Sequence, residues 1–171
     1  MADLLTHVLV AYVLLTVLGW HVDWLTRRWV AVGMIGAILP DLEMVSVVVD
    51  DTAVQALLGF PFTWNVLHTV FGLVLLAGAG AVLFSKERQR VFLVVLFGGM
   101  SHLVLDGFRM WADGRTDFWL YPLWWRPPTP NVYVTADWRV PAVTVCVAVA
   151  IYTIDTHRRT RSNRAGPAND C

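Results

Sequence analysis

The chain is short of charge, of cysteine and of any net electrostatic sign. Only 15% of its 171 residues are charged, where a soluble domain of ordinary composition carries about a quarter. Thirteen basic and thirteen acidic residues cancel, which excludes the bulk positive field that draws proteins to nucleic acid. The two cysteines are Cys146, inside an apolar run, and Cys171, the last residue; they outline neither a disulfide framework nor a thiolate metal motif. No nucleotide-binding loop, nucleophile elbow or Ser/His/Asp triad is visible. A cleavable leader is not expected either. Asp3 stands where a basic cluster would, His7 interrupts the apolar stretch, and no small-x-small site follows.

What the chain has is apolar length. Hydrophobic residues make up 57% of it, mean hydropathy is +0.57 and there are nine tryptophans. The apolar residues come in long runs rather than in the 3.6-residue stripe of a surface helix. The expected class is all-α, an integral membrane helical bundle. A helix needs about 20 residues to cross a hydrocarbon core of about 30 Å, and five runs qualify: Leu4 to Trp24, Trp29 to Val49, Trp64 to Phe84, Val91 to Trp111 and Val140 to Thr156. Pro40 and Asp41 break the second, and the last is a little short. Trp20, Trp24, Trp29, Trp64, Trp111 and Trp138 fall near the proposed ends, as an interfacial aromatic belt would place them.

Basic residues orient such a bundle. With five crossings, Arg27, Arg28, Lys86, Arg88, Arg90, Arg158, Arg159, Arg161 and Arg164 share one side. Arg109, Arg115, Arg126 and Arg139 fall on the other, beside Asp50, Asp51, Asp113, Asp117 and Asp137. The positive-inside rule then puts the N-terminus outside and the C-terminus in the cytoplasm of a multi-pass cell-membrane protein. Residues 1–156 form one membrane-embedded domain with a Trp-rich outer loop at 107–139. Residues 157–171 read as a disordered polar cytoplasmic tail.

Against this apolar background the ionisable residues stand out. His7, Asp41, His68, His102 and Asp106 lie in or at the edge of four apolar runs, where each costs several kcal/mol and is a functional-site hypothesis by default. Counting rise per residue puts His7 about 5 Å below the outer boundary, and His68 and Asp106 about 6 to 8 Å below it. Asp41 and His102 come out at about 12 to 14 Å. All five can share one layer. Residues four apart stack on one helix face, so His102 and Asp106 can serve one ion or two neighbouring ones. Imidazole and carboxylate suit zinc first, and also manganese and iron. Three histidines and two aspartates exceed the usual three protein ligands of one catalytic zinc, so a two-metal site is open. The matching reaction class is metal-assisted hydrolysis, with Asp41 or Asp106 as general base.

Thr6-His7, Leu39-Pro40-Asp41, His68-Thr69 and Ser101-His102 to Asp106, in that order, resemble the YdjM-like membrane-bound metal-dependent hydrolases. The likeness runs from about residue 4 to Pro122, where Tyr121-Pro122 matches a further element. It is similar, more distantly, to the zinc-dependent phospholipase C and P1 nuclease group, which also uses a His-x-x-x-Asp helix. The resemblance implies that His7, Asp41, His68, His102 and Asp106 ligate metal. Two departures touch a second metal or a substrate contact. Pro40-Asp41-Leu42-Glu43 stands where many relatives have Pro-Asp-x-Asp, and Thr63-Trp64 where many have His-Arg.

The function expected is hydrolysis of a phosphoester or ester of a lipid-like substrate, since such a site would open into a leaflet. Two rivals use the same residues: cation transport or sensing, and plain helix fastening. Glu43, two residues from Asp41, points well away on a regular helix and is a supporting or second-metal candidate. Asn65 either orients His68 or starts a helix. The loop from Gly107 to Arg139 lies on the outer headgroups or covers the site, with Arg109, Arg115 or Arg126 available to grip a phosphate. His21, Asp23 and His157 read as solvated. Gly78, Gly80, Gly98 and Gly99 are expected to bring the third and fourth spans together.

Overall fold

The computed structural model describes residues 4–84 and 86–165, with side chains as far as residue 161. Asp3, Cys171 and the last residues of the expected tail lie outside the described residues. Within them the chain forms six α-helices and two 3-10 segments, and no strand. Three stretches are long and apolar enough to cross a membrane: Arg27–Val47, Arg88–Gly107 and Arg139–Arg161. Leu4–Gly19 and Val70–Leu83 are apolar but shorter.

Helix α1 (Leu4–Gly19) ends in a turn that leads to α2 (Arg27–Gly36). The α-helix does not survive Pro40, which lacks an N–H and would clash with the preceding turn. The chain tightens there into a 3-10 segment, Leu39–Val47. A short exposed helix, α3 (Asp51–Leu58), follows. The Asp50 carboxylate caps it by accepting the Thr52 N–H at 2.7 Å, and Gly59 ends it at a left-handed φ of 74°. The second 3-10 segment, Trp64–His68, is tied back to α3, because the Trp64 N–H donates to Asp51 at 3.2 Å. Thr69 separates it from α4 (Val70–Leu83), its hydroxyl accepting the Gly72 N–H at 3.0 Å. The long α5 (Arg88–Gly107) and α6 (Arg139–Ala165) complete the bundle.

Helix α5 is the axis, packing on α1, α2, α4 and the Leu39–Val47 segment. Half of its apolar window is buried against 11% for α6, so α6 lies at the periphery, packed against α1. Close approach decides the α2–α5 contact. A Cβ on Gly98 would sit 1.9 Å from the Gly33 carbonyl oxygen, so the two backbones touch as only glycine permits. The expected glycine pairing is thus half relocated. Gly99 does face α4 through Leu73, but Gly98 faces α2 and Gly78 meets nothing within 4 Å.

At the far end of the bundle Asp155 of α6 is 3% exposed. It accepts from Trp20 Nε1 at 3.3 Å, Arg27 at 3.0 Å and Arg159 Nε at 2.8 Å, fastening the α1–α2 turn to α6. The helix runs on past His157 to Ala165, so the expected tail begins as helix. The Asp155–Arg159 pair, one turn apart at 2.8 Å, supports the extension.

Replacing Gly98 by valine should wedge α2 from α5 at a cost of about 2 kcal/mol, read as a lower thermal midpoint in detergent. An unchanged midpoint would refute the backbone contact. Asp155→Ala should cost about 2 kcal/mol, less than a fully buried ion pair because both arginines keep access to solvent. Differential scanning fluorimetry in detergent measures it; a variant as stable as the parent would show that the network fastens nothing.

Candidate metal centre

Four elements deliver six polar side chains to one point. The first turn of α1 supplies His7, and the 3-10 turn that Pro40 imposes supplies Asp41 and Glu43. His68 is the last residue of its 3-10 segment, held in place by the Thr69 cap. Helix α5 supplies His102 and Asp106 from successive turns of one face. His7 and His102 are 0% exposed, His68 8% and Asp106 7%.

Asp106 is the hub. Its Oδ1 lies 3.4 Å from His7 Nε2, and its Oδ2 lies 3.3 Å from His68 Nε2 and 3.6 Å from His102 Nε2. Asp41 Oδ1 is 3.6 Å from His102 Nε2. The His7 ring stacks on His102 with centroids 3.7 Å apart, and His68 meets His102 edge-on at 5.2 Å. His102 Nδ1 is 2.8 Å from the Ala37 carbonyl oxygen. A carbonyl only accepts, so Nδ1 carries a proton, and Nε2 faces the Asp41 and Asp106 carboxylates. The Gly98 contact, one turn earlier on α5, lets α2 come near enough for this bond.

Several ring and carboxylate atoms are buried without hydrogen-bond partners. Both nitrogens of His7, Asp41 Oδ1, His68 Nδ1 and His102 Nε2 have no hydrogen-bond partner among the described residues. Each such atom costs about 1 to 3 kcal/mol if nothing answers it. The separations of 3.3 to 3.6 Å exceed a good hydrogen bond. They match the spacing of about 3.4 Å between donors that share one tetrahedral ion at about 2.1 Å. Two triads have ligand atoms mutually within 4.8 Å: His7, His102 and Asp106, and Asp41, His68 and His102. These residues fit a divalent metal.

Glu43 does not point away. Its Oε1 is 3.5 Å from His68 Nδ1, because a 3-10 segment turns about 120° per residue and leaves positions two apart closer in azimuth than an α-helix does. Asn65 is exposed, and its backbone N–H donates to Thr63 Oγ1 at 3.4 Å; its place is at a helix start.

The 107–139 loop folds over the centre. The Val70 N–H donates to the Trp119 carbonyl at 2.7 Å, Tyr133 donates to the Leu105 carbonyl at 3.0 Å, and the Trp119 ring lies on Gly107. Burial, reinforced by the nearby Asp106 charge, pushes the Tyr133 phenol above its ordinary pKa, so the hydroxyl keeps its proton for that bond. Between loop and centre is a cavity of about 40 Å³ bordered by Glu43, His68, Asp106, Arg109, Trp111 and Trp119.

Of the three arginines, Arg109 alone borders this space, stacked over Trp111 at 3.9 Å. Arg126 pairs with Asp113 at 2.8 Å and donates to the Thr116 carbonyl at 3.0 Å. Arg115 contributes backbone: its N–H, ahead of the Arg126 guanidinium, holds the Asp113 carboxyl below its ordinary range. Both serve the loop itself. Asp117, counted in the sequence only as an outer charge, also borders the cavity. The Ala37 carbonyl was beyond sequence reasoning, since a backbone acceptor carries no residue signature.

A family model described as YdjM inner membrane protein matches residues 1–163. No curated protein and no solved structure matches the chain.

Trp119→Ala should free the loop from Gly107. Trypsin should then cut after Arg115 several times faster than in the parent, while helix content stays the same. An unchanged cleavage rate would mean that the ring does not anchor the loop.

Proposed function

The chain belongs to the family of YdjM inner membrane proteins, and on that premise we propose that it is a membrane-bound metal-dependent hydrolase acting on a phosphoester or ester of a lipid-like substrate. Its being a multi-pass cell-membrane protein follows from the family and the apolar helices. The observation that carries the chemistry is the cluster of buried ring nitrogens and carboxylate oxygen around Asp106 that lack hydrogen-bond partners.

In this reading His7, His68, His102, Asp106 and Asp41 hold the ion, zinc by preference and manganese or iron as alternatives. When bound, such an ion supplies Lewis acidity and a water activated near neutral pH. The residues around it divide the remaining work. The Ala37 carbonyl fixes the His102 ring, and Glu43 stands where it can fix His68 by accepting from Nδ1. Asp106 is committed to three imidazoles, whereas Asp41 faces His102 alone among the imidazoles within 4 Å. Asp41 is therefore the better general base. Arg109 is the cation placed to meet a substrate anion.

Five crossings with the N-terminus outside put this centre in the outer half of the bilayer and the 107–139 loop at the outer surface, within reach of leaflet lipids. Residues 1–156 are the membrane domain in this scheme. Cation transport is disfavoured because the bundle interior is packed with buried apolar residues, among them Ala11, Leu15, Leu73, Ala77 and Leu103. Helix fastening is disfavoured because the His–carboxylate separations of 3.3 to 3.6 Å are longer than the hydrogen bonds that would fasten helices.

Metal content by mass spectrometry on detergent-purified protein tests the reading. Near-stoichiometric zinc, manganese or iron is expected, falling about tenfold or more in His102→Ala and Asp106→Ala. Asp41→Asn should lower turnover of a chromogenic phosphoester about a hundredfold. Wild-type protein that stays metal-free after reconstitution with those ions would end the hydrolase reading.

A further inference from the structure

Polar atoms without partners lie on both sides of this cavity. Below it are the histidine and carboxylate groups already described. Above it, on the loop, are donors. Trp111 Nε1 and Trp119 Nε1 are buried and have no hydrogen-bond partner among the described residues, and both residues border the cavity. Indole N–H can only donate, so no cation can satisfy it. Arg109, stacked on Trp111, forms no ion pair among the described residues and adds further donors to the same rim.

We propose that Trp111, Trp119 and Arg109 form an oxyanion subsite that receives the non-bridging oxygens of a phosphoryl group. The proposal deepens the hydrolase reading by choosing between its two substrate classes. A neutral acyl ester offers one weak carbonyl acceptor, whereas a phosphoryl group offers several charged ones, in directions that indole and guanidinium donors can share with an ion beneath. The size agrees. About 40 Å³ is room for roughly three waters, the scale of one phosphoryl group and not of a whole lipid, so the rest of the substrate lies outside the cavity. The carboxylates on the rim do not forbid an anion. Glu43 and Asp106 face imidazoles, and Asp117 Oδ1 already accepts the Phe118 N–H at 3.0 Å.

The test is nuclear magnetic resonance of ¹⁵N-indole-labelled, full-length protein in detergent, titrated with inorganic phosphate, with metal content measured on the same samples. Two indole N–H resonances, assigned through Trp111→Phe and Trp119→Phe, should shift on phosphate addition. Each phenylalanine variant should bind phosphate about tenfold more weakly at unchanged metal content, and Arg109→Gln should do the same. Indole resonances of the wild-type protein that ignore saturating phosphate overturn the proposal, as does undiminished affinity in the phenylalanine variants. The wild-type titration stands even if a variant fails to fold. Protein without metal whose indoles still respond would keep the subsite and sink the hydrolase reading, so the two fail separately. Repeating the titration with micelles containing phosphatidic acid separates the sources. Binding about tenfold tighter than inorganic phosphate marks a lipid headgroup, and equal or weaker binding marks a soluble phosphoester.

Discussion

A carboxylate buried among three imidazoles governs this bundle. Asp106 is 7% exposed in the apolar interior, where an isolated charge would cost several kcal/mol. It is tolerable because α1, α5 and the segment ending at His68 each bring an imidazole to it within 3.6 Å. Those elements also pack on one another, α1 and α4 each against α5, and Asp106 sits where their polar residues converge. In the proposed reading an ion shares that task and turns the electrostatic burden into a source of cohesion.

The breaks in the helices follow from the same requirement. Irregular backbone at membrane depth is tolerated only where protein covers it, and the irregular segments here, Leu39–Val47 and Trp64–His68, pack on each other and around the centre. A continuous α-helix through Pro40 would place Asp41 and Glu43 nearly opposite one another. The tighter 3-10 turn lets both face the histidines. Thr69 works similarly on the other strand of chain. Its hydroxyl accepts the Gly72 N–H and donates to the Val66 carbonyl at 2.7 Å, so one residue closes the segment carrying His68 and opens α4. Proline and threonine thus give up regular helix where side-chain aim matters more.

How much of this could be read from the residues alone depends on whether the signal was local. His102 and Asp106, four apart on an apolar helix, declare their shared face through periodicity, and Pro40 declares a break. The class of the protein is equally plain from its apolar runs. Helix α3 carried local signals too, Asp50 before it and Gly59 after it, but it sits between long apolar runs that draw the eye, and none of its residues is buried. Glu43 was misdirected because α-helical azimuth was assumed where the backbone is 3-10. Asp155 carries no local signal, since its partners Trp20 and Arg27 are more than 100 residues away. Arg115 and Arg126 carry the same charge as Arg109, and only the loop's path separates them. That path is set by backbone bonds such as Thr116 N–H to Pro127 O, which no side-chain pattern encodes.

The choice of tryptophan over the centre has a chemical logic beyond its liking for the interface. A loop at headgroup level needs side chains with an apolar body and a polar tip, which tryptophan, tyrosine, lysine and histidine all offer. Histidine or a tyrosine phenolate above Asp106 would add lone pairs and compete for any ion the helices hold. Lysine would bring a mobile charge able to pair with Asp106 and pull it from the imidazoles. Indole does neither, because its polar atom has no lone pair to give and carries no charge. Tyr133 obeys the same restriction by a different route: its hydroxyl donates to the Leu105 carbonyl, turning its proton away from the Asp106 carboxylate. Trp111 and Trp119 thus add no lone pair at the cavity, and Asp117, the loop carboxylate that borders it, is already engaged by the Phe118 N–H at 3.0 Å.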